Sequence, residues 1–401
     1  MRRGKMMVKT VILDGARTPF GKFGGALSSL SASELGGVAM KEALQRSGVK
    51  PEELDEVIFG NVLQAGQGQI PSRQAARLAG IPWNIKTETI NKVCASGLRS
   101  VTLADQIIRS GDEEVILTGG MESMSNTPYA VFKSRWGIRM GNTPMVDLVI
   151  HDGLSCSFTG VHMGVYGNET ADSYNLSRTE QDEWSVRSQR LATAAIKDGR
   201  LDAEIVPVNV PQKKGNSITI VRDEAPREDT TLETLAKLRP AFGENGTITA
   251  GNAPGINDGA VALVVMSDER AKKENKQVLA TVIAHAEVAV EANRFPQTPG
   301  LAINELLKKT GKTVDDIDLF EVNEAFAAVS LASAKIAGID ETKINVNGGA
   351  IALGHPIGAS GARIILTLAY ELKRRGGGLG IAAICSGSGQ GDAIMIEVAG
   401  K

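Results

Sequence analysis

The stretch Glu42-Ala43-Leu44-Gln45-Arg46-Ser47-Gly48, continuing to Leu54-Asp55-Glu56-Val57, returns as Glu305-Leu306-Leu307-Lys308-Lys309-Thr310-Gly311, continuing to Ile317-Asp318-Leu319-Phe320. Each copy reads as an amphipathic helix closed by a glycine, an acidic connection and a buried strand. The offset, 42 to 305, is 263 residues, and Ala95-Ser96-Gly97-Leu98-Arg99 recurs as Ala359-Ser360-Gly361-Ala362-Arg363 at 264. A looser pair sets Val115-Ile116-Leu117 before Gly119-Gly120 against Ile381-Ala382-Ala383-Ile384 before Cys385-Ser386-Gly387. Three matches in one order at nearly one offset predict a duplicated α/β unit, its halves packed together and its sites where equivalent strand-to-helix turns meet.

Residues 124–250 have no counterpart. They are rich in Met, Gly, Asn and Trp at first, then hold a polar helix from Thr179 to Gly199 and a charged segment from Arg222 to Asp229. Such an excursion reads as an inserted loop domain over the site. The expected division is 1–123 with 251–275 as the N-terminal half, 124–250 as the insertion and 276–401 as the C-terminal half. Met7 to Leu13 reads as the first strand and Ala260 to Met266 as a buried one.

A chain of 401 residues exceeds what one core usually supports. Its 44 basic and 46 acidic residues nearly cancel, so neither nucleic acid nor an anionic membrane is an expected partner. Three cysteines, at 94, 156 and 385, are too few and too scattered for a disulfide framework or a zinc cluster, and fit a reducing compartment. With four histidines in all, no metal is expected. No apolar run approaches the ~18 residues of a membrane span. The start, Met1 to Met7, lacks a signal-peptide apolar region and does not support a mitochondrial presequence, and Val398-Ala399-Gly400-Lys401 is no peroxisomal address. A cytoplasmic location is the expectation.

Cys94 lies in Asn91-Lys92-Val93-Cys94-Ala95-Ser96-Gly97-Leu98-Arg99, where a strand gives way to a helical run, Leu98, Val101, Ala104, Ile107, Ile108. A cysteine there is either a small buried hydrophobe or a nucleophile whose thiolate the helix amides favour. Asn323, in Phe320-Glu321-Val322-Asn323-Glu324-Ala325-Phe326-Ala327, reads alone as an N-cap. His355 sits among glycines in Asn347 to Gly358, with Pro356 holding the turn rigid. Cys385 opens Cys385-Ser386-Gly387-Ser388-Gly389-Gln390-Gly391, a turn that is a second acid/base with an oxyanion cradle, a phosphate loop, or a buried cysteine before glycines. His151, Cys156 and His162 compete as candidates, and His285 reads as a surface residue in a polar turn. Together, Cys94, His355, Asn323 and Cys385 at turns of a duplicated fold suit acyl transfer through a thioester.

On these motifs the chain resembles the thiolases. The resemblance rests on Ala16-Arg17-Thr18-Pro19-Phe20-Gly21, Asn91 to Gly97, Gly119-Gly120-Met121-Glu122-Ser123-Met124-Ser125, Asn323-Glu324-Ala325-Phe326, Gly348 to Gly358 and Cys385 to Gly391. It implies an α-β-α-β-α fold and a homo-oligomer, dimer or tetramer. The implied reaction is the acetyl-CoA acetyltransferase one, two acetyl-CoA to acetoacetyl-CoA plus CoA, in lipid metabolism, with CoA as co-substrate and no tightly bound cofactor.

By the same resemblance Cys94 carries the acyl group, His355 activates it and Cys385 deprotonates the second acetyl-CoA. Asn323 with His355 positions the water of one oxyanion hole, and the amides of Cys94 and Gly387 form the other. His162-Met163-Gly164 matches the members favouring acetoacetyl-CoA, with Met163 narrowing the acyl pocket. Leu154 and Phe326 line the thioester end, and Arg227 contacts the CoA nucleotide. Pro254, after Ala253 in Ala250-Gly251-Asn252-Ala253-Pro254-Gly255, replaces the usual serine near the pantetheine; Gly164 to Thr170 and Ser388 also depart from the common pattern. The rivals are a broader-chain 3-ketoacyl-CoA thiolase of β-oxidation, a decarboxylating condensing enzyme, a cysteine hydrolase and a non-catalytic CoA-binding protein.

Overall fold

The structure, a computed structural model, describes residues 8–400. Expectations about Met1 to Met7 and Lys401 lie outside them. The first strand, β1, is Thr10–Arg17. It runs beyond Leu13 because the following residues stay paired with β5, Asn257–Ser267, as far as Arg17 opposite Val261.

Both copies of the repeat form the elements expected of them. Helix α1 (Ala32–Ser47) ends on Gly48 at φ 63°, and its counterpart α6 (Thr298–Thr310) ends on Gly311 at φ 68°. The left-handed cap lets the chain reverse without a Cβ clash. Short 3₁₀ turns at Pro51–Glu53 and Val314–Asp316 then lead into β2 (Glu56–Gly60) and β7 (Leu319–Val322). Further strands are β3 (Lys86–Ile90), β4 (Val115–Ser123), β6 (Ala280–Ala289), β8 (Gly378–Ser386) and β9 (Gln390–Val398).

The sheet order is β7-β8-β9-β6-β1-β5-β4-β2-β3, with the short Gly21–Lys22 strand added to β5. Parallel β2–β4 and antiparallel β4–β5 in one half are matched by parallel β7–β8 and antiparallel β8–β9 in the other. Even the register irregularities correspond, at Ile12/Asp14 in β1 and Val282/Ala284 in β6. The halves join edge to edge through Val11 opposite Thr281.

Between the two sheet faces lie α3 (Ser96–Ser110) and α8 (Ser360–Arg374), whose Leu98, Val101, Ile364 and Ile365 share one core with Ile58, Val261, Ile384 and Ile394. Helices α1 and α2 (Pro71–Leu78) cover one outer face, and α6 with α7 (Ala327–Ala337) the other. This is the expected α-β-α-β-α layering. The repeated Ala-Ser-Gly is where the central helices touch: a Cβ on Gly97 would lie 2.7 Å from Ala362 N, and one on Gly361 2.4 Å from Leu98 N. Only glycine allows that backbone approach. Between β4 and β5 the chain carries α4 (Met163–Ser173) and α5 (Arg178–Lys197), the latter opened by a capping box at Ser177 and Glu180. Among the described residues no helix is long and apolar enough to cross a membrane.

Candidate functional site

The two central helices start beside one another, and their preceding turns meet at an apolar cavity of about 280 Å³. Cys94, His355 and Gly387 line it together with Leu154, His162, Met163, Ala253 and Phe326. Asn323 and Cys385 are fully buried and not among its lining residues. Arg227 lies apart: it is exposed, and its N–H donates to Gln189 Oε1 at 2.8 Å.

Val93, directly before Cys94, sits at φ 47°. For a β-branched residue this left-handed backbone costs on the order of 1–3 kcal/mol and needs a surrounding that imposes it. Here Val93 N–H donates to Asn91 Oδ1 (2.9 Å), Lys92 N–H to Ser96 Oγ (2.8 Å), and Ser96 Oγ–H to Val93 O (2.6 Å). From the other half, Ser386 Oγ donates to Lys92 O at 2.5 Å.

Helix amides alone suggest a thiolate at Cys94, and the structure corrects that. Burial pushes the thiol up to about 12; the N–H groups of Gly387 and of Cys94 itself pull it back, while the Glu122 carboxyl adds to the rise. The resting group is a thiol, and a nucleophilic role would call for a base beside it. Those two N–H groups converge on Cys94 Sγ, the arrangement of an oxyanion cradle.

His355 can be that base. Ser360 Oγ lies 2.9 Å from Pro356 O and 2.6 Å from His355 Nδ1, and with its proton directed to Pro356 O it accepts from Nδ1. In that arrangement the proton sits on Nδ1, and Nε2 keeps its lone pair for a neighbouring thiol. Burial, with the Arg363 guanidinium adding, lowers the imidazole to about 3, so it is neutral at ordinary pH. Nε2 is buried with no hydrogen-bond partner among the described residues, as are both polar atoms of the Asn323 side chain. Asn323 is thus no N-cap: Phe326 holds that position for α7. Backbone support for His355 comes from Asn257, whose Oδ1 accepts its N–H at 2.9 Å.

Glu122, between the Cys94 and His355 turns, accepts from Asn61 Nδ2 (2.8 Å) and from the N–H groups of Val62 (3.1 Å), Leu63 (3.1 Å) and Gly358 (2.9 Å). Burial still raises its carboxyl to about 7. Cys385, at the end of β8, is pushed well above the ordinary thiol range by burial, and then by Cys94. The two sulfurs therefore feel one another.

His162 caps α4: its Nδ1 accepts from Gly164 N–H at 3.1 Å, and its ring stacks on Phe242 with centroids 4.3 Å apart. Burial lowers its imidazole. Sequence reasoning missed Phe242, which belongs to no motif, and Ser360, which the Ala-Ser-Gly repeat marks. It also misplaced His285, which lies in β6, half-buried, with Nε2 3.4 Å from Asp105 Oδ2. His151 is exposed beside Asp152, and Cys156 is buried; burial opposes ionisation there, but the Thr159 and Tyr166 hydroxyls bring its thiol down to about 7. Neither lines this cavity.

The thiolase N-terminal domain model matches residues 10–269 and the thiolase C-terminal domain model residues 276–398. An acetyl-CoA acetyltransferase of Cupriavidus necator is 48% identical over 391 residues, 98% of this chain and 100% of that one. A probable acetyl-CoA acyltransferase of Staphylococcus aureus is 46% identical, over 98% and 99% of the two chains. The crystal structure of the Bacillus anthracis acetyl-CoA acetyltransferase matches with a TM-score of 0.96 at 41% identity, covering 98% of this chain and 99% of that one.

Proposed function

The chain belongs to the thiolase family, and from that premise we propose that it catalyses the reversible Claisen condensation of two acetyl-CoA to acetoacetyl-CoA plus CoA through an acyl thioester on Cys94. The observation that carries this reading is the pairing of a Cys94 thiol under two converging N–H groups with a neutral His355, its tautomer set by Ser360, on one cavity. Relatives named acetyl-CoA acetyltransferase supply the substrate class.

In this mechanism His355 Nε2 takes the Cys94 proton as the sulfur attacks the acetyl carbonyl. The oxyanion forms either against the Gly387 and Cys94 amides or against a water that Asn323 and His355 hold; each lost donor costs on the order of 10²-fold or more. Cys385 protonates the departing CoA sulfur and becomes a thiolate. The burial that raises this thiol makes its thiolate a strong base. It removes the α-proton of the second acetyl-CoA, whose carbanion attacks the Cys94 thioester. Cys94 then leaves and recovers its proton from His355.

Leu154, Met163, Phe242 and Phe326 crowd the acyl end of a cavity at the small limit of ligand sites, roughly 300–1,000 Å³. This supports acetoacetyl-CoA over the long substrates of a β-oxidation thiolase. Arg227, exposed at the surface, is assigned to the CoA nucleotide. A homo-oligomer, dimer or tetramer, in a cytoplasmic setting of lipid metabolism completes the reading. Trp136 and Met140 of the 124–250 region are 84% and 97% exposed, apolar surface that association would cover.

The test compares thiolysis of acetoacetyl-CoA and 3-ketohexadecanoyl-CoA. Preference for the short substrate is expected, and strong preference for the long one rejects the specificity. Release of free acid without CoA acceptor rejects the transferase in favour of a hydrolase.

A further inference from the structure

The charged side chains around Lys92 do nothing in the mechanism just described, yet they are built with care. Lys92 stands two residues before Cys94 on the strained turn, and both of its ends are held by the β8–β9 hairpin that carries Cys385. Its carbonyl accepts from Ser386 Oγ at 2.5 Å. Its ammonium lies 2.7 Å from Asp392 Oδ1, and Asp392 is fully buried. Asp392 faces Ile384 across the hairpin and Glu287 across β6, so the acid sits one register step from Cys385. Glu287 also meets the Lys92 ammonium, and its other oxygen accepts from Arg99 Nη1 of α3 at 2.9 Å.

We propose that Lys92 is a positioning residue that sets the spacing between the two reactive sulfurs, tying the Cys94 turn to the Cys385 hairpin through Asp392 and Glu287. This rests on the assignment of Cys94 and Cys385 to acyl carrier and proton mover. A lysine on a turn of this kind has no need of a buried carboxylate from a distant strand, because an exposed ammonium is solvated at no cost. Burying Asp392 against it makes the pair costly to separate and so fixes one geometry. The two half-reactions depend on that geometry differently. Acylation forms its bond at Cys94 beside His355, which approaches from the other central helix, and asks of Cys385 only a proton for the departing CoA sulfur. Condensation needs the Cys94 thioester and the carbanion made at Cys385 in register, where a displacement near 1 Å costs on the order of 10²-fold.

The test uses the full-length enzyme and follows two signals: acetyl transfer from acetyl-CoA to Cys94, and condensation to acetoacetyl-CoA. In Lys92→Met, acylation is expected within about threefold of wild type while condensation kcat falls roughly 30- to 100-fold at unchanged KM. Asp392→Asn is expected to show the same split, Lys92→Met/Asp392→Asn no greater loss than either single change, and Lys92→Arg substantial recovery. Equal losses in both half-reactions, additive losses in the double variant, or wild-type condensation in Lys92→Met overturn the inference. Should Lys92→Met fail to fold, Asp392→Asn alone decides by the same split. Failure of wild type to acylate Cys94 at all rejects the assignment beneath it.

Discussion

Replacing Ser360 by alanine removes the acceptor assigned to His355 Nδ1–H, 2.6 Å away in a buried setting. A buried donor left without a partner costs about 1–3 kcal/mol. The imidazole can escape that cost only by moving its proton to Nε2, and then it no longer accepts the Cys94 proton. By either route the acylation barrier rises by about 1–3 kcal/mol, a slowing of roughly 5- to 150-fold at ~1.4 kcal/mol per tenfold. Ser360 is not among the cavity lining, so KM for acetyl-CoA should hardly move. Rapid-quench measurement of CoA released from acetyl-CoA in a single turnover reads the step directly. Acylation within twofold of wild type, or a defect confined to KM, would show that Ser360 does not set the tautomer.

Further outcomes follow from the same geometry. Because burial holds the folded His355 at about 3 against an ordinary 6.5, its contribution to stability is complete above 6.5 and is lost as pH falls toward 3; urea titrations should show this slope reduced in His355→Asn, and an identical slope refutes the neutral imidazole. Cys385→Ser should still take an acetyl group on Cys94, more slowly because a hydroxyl is a weaker acid toward the departing CoA sulfur, yet lose condensation, whereas condensation at the wild-type rate would remove Cys385 as the base for the α-proton. Gly361→Ala drives a Cβ to 2.4 Å from the Leu98 amide and should destabilise by about 1–3 kcal/mol in thermal melts, with an unchanged melting temperature contradicting the close helix contact. Met163→Ala should raise relative thiolysis of longer 3-ketoacyl-CoA substrates, and an unaltered chain profile would remove Met163 as a boundary of the acyl pocket.

Much of the fold was legible because its signals are local. Gly48 and Gly311 cap equivalent helices, and the Ala-Ser-Gly repeat marks the two glycines at which the structure brings α3 and α8 together. Short motifs also marked the residues that the fold gathers, since Cys94 and His355, each within a few consecutive small residues, line one cavity. What escaped depends on distant segments. His285 looked like a surface residue because polar neighbours surround it, yet its strand meets Asp105 of α3. Phe242 meets His162 only through the folding of the 124–250 region. The ionisation of Cys94 was misjudged because helix amides are visible in a sequence and burial is not: burial outweighs them and leaves a thiol.

The central claim is that Cys94 carries the acyl group, and the direct measurement is mass spectrometry of peptides from enzyme quenched after brief exposure to acetyl-CoA. One acetyl group on the peptide bearing Cys94, discharged when a second acetyl-CoA or CoA is admitted and absent in Cys94→Ala, is the predicted result. Acetyl on Cys385 or Cys156 instead, or undiminished thiolase turnover by Cys94→Ala, would contradict the account.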